Sequence, residues 1–172
     1  KNIHKRGADI EQEQILIASQ LKGILSIPLA VKLSPFYTNI SQMALEFSEA
    51  GAGGLVLFNR LFEPEIDMDK EEISAALNFS HDDDSGLSLR YAGLLYGVVD
   101  ADICSSVGIY TGRQAAAMIL AGASAVQVVS CLYSKGSDHI GVINDEIQEW
   151  MESMKYKNLE DFRGKLSRRD AA

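Results

Sequence analysis

Short apolar runs alternate along the chain with stretches in which apolar residues recur at every third or fourth position, a pattern that predicts βα units around a parallel sheet. Four runs have strand length: residues 29–33 (LAVKL) after Pro28, residues 54–58 (GLVLF) after the glycines of AGAGG, residues 101–105 beside two aspartates, and the valine-rich residues 125–129. Asn2 and Ile3 read as the stub of a fifth. Between the runs, Ile15, Leu16, Ala18, Leu21 and Ile24 or Leu25 mark a first helix, and Ile40, Met43, Ala44 and Phe47 a second, capped by Thr38 or Asn39. Gly23 and Gly51 end them. A third helix is expected over residues 89–98, a fourth over 113–120 before Gly122, a long amphipathic one over 138–154, and a short one after Asn158. Residues 60–88 break the pattern, being polar and too long for an ordinary βα connection, and long insertions after strands often carry function.

Eight βα units need about 250 residues. Four or five fill this chain of 172 residues, so the expected fold is α/β, either a smaller open sheet or about half of a (β/α)8 barrel. At 47% hydrophobic and 23% charged, the composition suits a soluble, core-forming chain. Two cysteines are too few for a disulfide framework and no apolar run is long enough to cross a bilayer, which points to a reducing cytoplasm and no membrane partner. With 24 acidic against 16 basic residues, the formal charge of -8 repels a phosphate backbone, and the basic tail of Lys165, Arg168 and Arg169 is too short to reverse this. Nucleic acid is therefore not an expected partner. The chain opens on Lys1 rather than methionine, which is read as a sign of a longer protein.

Lys32 stands near the end of an otherwise apolar strand, where it either escapes to solvent, holds an anionic or electron-rich cofactor edge, or forms a Schiff base. The carboxyl ends of parallel strands form the ligand face in such folds. Asn59 and Arg60 follow the second strand at the equivalent place, and an amide there serves either a planar ligand or a cap. The stretch VGIYTG, with Gly108, leads into the fourth helix, whose first amides could receive a phosphate, while Ser130 and Cys131 open another loop after the last strand. Ordinary turn chemistry is the plainer reading of both loops. Cys104 and Cys131 lack CxxC partners, and the consecutive carboxylates of HDDDSG cannot all face one ion, so no metal site is expected.

In the order AVKLSPFYTN, GAGGLVLFNRLFEPEID, GIYTGRQAAAMILAGASAVQVVSCL, EIQEWM and LEDFRGKLS, the chain resembles the C-terminal part of a dihydroorotate dehydrogenase-like protein. That resemblance covers almost the whole chain and implies a partial FMN-binding (β/α)8 barrel, residues 1–172 being the C-terminal portion of its single domain. The activity it implies is oxidation of dihydroorotate to orotate in pyrimidine synthesis. It implies cofactor contacts from Lys32 (the flavin ring), Asn59, Gly108, Ser130 and Cys131, and substrate contacts from Asn2 and Asn59. Ser85 and Gly86 fall in a stretch that approaches the cofactor in many relatives. The proton-abstracting base has no counterpart here and is expected in the missing N-terminal part, so the isolated piece should be inactive and bind flavin poorly. Relatives commonly carry two glycines where this chain has Val107 and Gly108. Two rival readings are a Schiff-base lyase or aldolase using Lys32 and a noncatalytic half-barrel module that dimerises through its exposed, apolar face.

Overall fold

A computed structural model describes residues 3–61, 64–74 and 79–167. Its main sheet has four parallel strands, β1 (Ala30–Lys32), β2 (Gly54–Leu57), β5 (Asp102–Ser106) and β6 (Ala125–Gln127), neighbours in that order. A two-stranded antiparallel hairpin, β3 (Glu65–Asp67) and β4 (Glu72–Ser74), lies apart from it. Helices α1 (Gly7–Ile24), α2 (Ile40–Glu49), α3 (Gly86–Leu95), α4 (Gly112–Ala121), α5 (Ser130–Lys135) and α6 (His139–Ser153) complete the fold. The four strands thus run parallel in chain order, with α2, α3 and α4 in the crossovers, as the alternation of patterns predicts.

Register explains which side is buried. Val31 pairs with Leu55 and Leu55 with Ile103, while Leu57 pairs with Ser105. These residues face the helices, where Leu55, Leu57 and Ile103 join Met43, Phe47, Leu95 and Met118 in the core. The opposite face carries the alternate residues: Lys32, Val56, Cys104 and Ala125 form one row, and Ser106 and Gln127 another beyond it. That face is mixed, with Lys32, Ser106 and Gln127 among the smaller apolar Val56, Cys104 and Ala125. Exposed apolar side chains also lie on α1, whose Leu16, Ile17, Leu21 and Ile24 reach solvent while only Ala18 of that helix is buried.

Several boundaries differ from expectation for local reasons. Helix α1 begins eight residues before Ile15, because ADIEQEQ is made of good helix formers with no apolar stripe to announce them. Helix α3 begins at Gly86 rather than residue 89. Ile3 sits in a turn and is exposed, so it is no strand stub, and Asn2 lies outside the described residues. Within the long insertion, three-residue strands with a single isoleucine each pair Ile66 with Ile73, a period too short to read. The HDDDSG stretch forms a 3-10 turn over Asp82–Ser85, and α5 starts directly at Ser130, where a loop was expected.

Candidate functional site

Lys32 closes β1 with its side chain on the mixed face, and its Nζ donates to Gln127 Oε1 at 2.7 Å. The Ser106 hydroxyl donates to the same oxygen at 3.2 Å. Cys104 lies half-buried on this face; burial pushes its thiol pKa up, and the charge of Lys32 opposes that shift in part. Gln127 and Ser106 escaped the sequence reading. The signal was present in Gln127, a polar residue in the strand AVQVV at the same parity as Ala125, as Lys32 is polar within LAVKL.

Asn59 follows β2 at the same end of the sheet. Its N–H donates to the Leu33 carbonyl at 2.7 Å, which ties the two strand ends together and leaves its side chain exposed. It lines a cavity of about 380 Å³ whose apolar walls include Pro35, Phe58, Leu87 and Val107, with Ser106 among its polar residues. Lys32 is not part of that lining, so Ser106 is the residue common to the cavity and the Lys32–Gln127 pair. Arg60 lines the same cavity and pairs at 2.6 Å with Asp84, another of its lining residues, which also accepts from the His81 N–H. Ser88, buried in α3, donates to the Leu57 carbonyl at 2.8 Å and fixes the rim beneath the cavity.

The two candidate phosphate loops fare differently. Several amides around the start of α4 are already engaged: Thr111 and Gln114 form a capping box, Gln114 Oε1 accepts from the Tyr110 and Thr111 N–H groups, and the Gly112 N–H donates to Glu146. The Glu146 carboxylate thus already stands at one of the amides where the sequence placed an anion. Gly108 is buried beneath the 3-10 turn at φ +71, where an added Cβ would stand 2.6 Å from the Ser85 nitrogen and 2.7 Å from the His81 oxygen. Val107 shares this left-handed backbone at φ +77, which is strained for a β-branched residue. Ser130 Oγ accepts from the Ser80 N–H at 3.0 Å and from its hydroxyl at 2.8 Å. The Cys131 side chain is fully buried in the core with its thiol pKa raised by burial, so its thiol does not face the rim.

Lys32, Asn59, the Val107–Gly108 turn and Ser130 all lie at or beyond the carboxyl ends of the strands. The arrangement offers a fixed ammonium, an amide and a hydroxyl beside an apolar cavity, which suits a planar ligand with polar edges. Among the described residues, no group of three His, Cys, Asp or Glu is placed to hold a metal, and no helix is long and apolar enough to cross a membrane.

A profile described as dihydroorotate dehydrogenase matches residues 4–151. Among curated relatives, a dihydroorotate dehydrogenase B (NAD(+)) catalytic subunit from Alkaliphilus metalliredigens is 34% identical over 153 residues, covering 87% of this chain and 50% of the relative. One from Methanocaldococcus jannaschii is 32% identical over 161 residues, covering 89% and 51%. A ligand-free DHODH structure from Eimeria tenella shares the fold at a TM-score of 0.63 and 25% identity, over 80% of this chain and 39% of that one. The chain spans about half the length of the curated relatives it matches.

Proposed function

The chain belongs to the dihydroorotate dehydrogenase family, and from that premise we propose that it is the cofactor-contacting, C-terminal portion of an FMN-dependent oxidoreductase that converts dihydroorotate to orotate. The observation that carries this reading is Lys32, whose ammonium is held over the mixed face at the strand ends by Gln127. When bound, FMN supplies the hydride acceptor for the reaction.

The chain's own residues fit the ring end of that cofactor. Lys32, exposed at the strand end but tied to Gln127, would set a positive charge beside the flavin ring, where negative charge develops on reduction. Asn59, exposed at the cavity mouth, offers both a donor and an acceptor to a planar substrate or ring edge. At the phosphate end, where Glu146 already holds the Gly112 amide, the Val107–Gly108 turn and the Ser80–Ser130 hydroxyl pair are the groups assigned to serve it. The base that removes the substrate proton is supplied from outside residues 1–172, in the N-terminal half of the barrel. A cytoplasmic setting accords with the two free cysteines.

Lys32 also separates this reading from a Schiff-base aldolase. A nucleophilic lysine must present its nitrogen to a carbonyl carbon, whereas here Nζ is engaged with the Gln127 amide oxygen at 2.7 Å. The test is purification of the protein with its N-terminal half restored. A yellow protein that loses FMN affinity in Lys32→Ala supports the flavin reading. Borohydride trapping of a carbonyl substrate on Lys32, in a colourless protein, would overturn it.

A further inference from the structure

We infer that Gln127 is a positioning residue for Lys32, its amide oxygen fixing where the ammonium stands on the mixed face; for its functional consequence this inference rests on the flavin reading above. A lysine at a strand end has four rotatable bonds and no fixed direction, so a charge required at one place needs a holder. A carboxylate would hold it at the expense of neutralising it, whereas a carboxamide oxygen orients the ammonium and leaves its charge intact. Gln127 is itself held, because the Ser106 hydroxyl donates to the same Oε1 at 3.2 Å. Two donors on one oxygen also settle which way the amide faces. Its Nε2 is then directed away from them, so an incoming acceptor meets the Lys32 ammonium and the Gln127 amide as neighbouring donors. Alternation along β6 leaves no substitute, since Val126 points to the helical side.

The test reads Lys32 directly in this chain with lysine labelled by 13C at Cε, without any ligand. In Gln127→Leu, the Lys32 resonance is expected to lose its dispersion and take on the slow transverse relaxation of a mobile, solvated lysine. Gln127→Asn, one methylene too short, is expected to do the same and decides the matter if the leucine variant does not fold. Gln127→Glu, which keeps an acceptor at the same reach, is expected to leave Lys32 ordered. Lys32 remaining ordered in both the Leu and Asn variants overturns the inference. In the protein with its N-terminal half restored, Gln127→Leu is expected to weaken FMN binding about tenfold. If Lys32 loosens but neither Gln127→Leu nor Lys32→Ala changes FMN affinity, Gln127 still positions Lys32 and it is the flavin reading that falls.

Discussion

Lys32 and Gln127 belong to the two outermost strands of a four-stranded sheet, and their side chains meet at 2.7 Å. In a flat sheet, three gaps of roughly 4.8 Å and an offset of two residues along β6 would set their backbones about 16 Å apart, with both side chains standing upright. The contact therefore requires the sheet to curl toward the face that carries them. Four strands so curled form an arc of a closed barrel, and the arc brings together polar residues that are 95 positions apart in the chain.

Gly108 is expected to tolerate no side chain. Its φ of +71 and the 2.6 Å approach of Ser85 to an added Cβ act together, so Gly108→Ala should cost at least about 2 kcal/mol, read as a lower urea midpoint. At Val107 the sign reverses. Val107→Gly relieves a left-handed β-branched residue at the expense of added backbone entropy in the unfolded chain, and a net gain of about 1 kcal/mol is expected. An unchanged midpoint in Gly108→Ala would mean that the 3-10 turn does not lie on this loop.

Helices α4 and α6 approach closely at Gly112, where a Cβ would stand 2.4 Å from the Ile143 oxygen and 2.7 Å from the Ile147 nitrogen. Gly112→Ala must push the helices apart and should destabilise the chain by about 2 kcal/mol or more. Glu146 accepts the Gly112 N–H at the positive end of α4, and Glu146→Ala should cost about 1 kcal/mol. Chemical unfolding of both variants checks the pair, and a neutral Glu146→Ala would show that α4 does not need this cap.

Stability should fall in alkali. Burial raises the pKa values of Cys104, Cys131 and Tyr37 in the folded chain, whereas unfolded cysteine titrates near about 8.5 and tyrosine near about 10. The folded state therefore holds protons that the unfolded state releases, so the contribution is complete below about pH 8.5 and is lost as pH rises through the folded values. Urea midpoints at pH 7.5 and 9.5 and equal ionic strength should show the decrease, and a rise would refute it. Lys32→Ala removes the charge that opposes the Cys104 shift, so Cys104 should then react more slowly with a disulfide reagent.

Helix α1 should drive association of the chain. Leu16, Ile17 and Ile24 are 54%, 55% and 81% exposed on it, an apolar surface that water disfavours. Sedimentation coefficients are expected to rise with concentration, and Leu16→Glu with Ile24→Glu should suppress the rise while keeping the helix, since glutamate is a good helix former. A wild-type chain that stays monomeric across the range would place the association elsewhere or nowhere.

Strand order, parallel sense and the helices between strands were legible in the chain, because apolar runs and three-to-four spacing reflect burial against neighbours close in sequence. Lys32 was legible for the same reason: a charge inside LAVKL conflicts with its surroundings and signals a strand end. Gln127 carried a weaker version of that signal, since an amide in a strand has many unremarkable uses. The caps at α4 show the opposite case. VGIYTG looks like a free helix start, but the acceptor that occupies it, Glu146, comes from α6, 34 residues away. Likewise the mixed side of the sheet, the burial of Cys131 and the lid of residues 81–85 on Gly108 depend on register and curvature. Local sequence records what each segment buries; which distant partner meets it is decided only when the strands pair and the sheet curls.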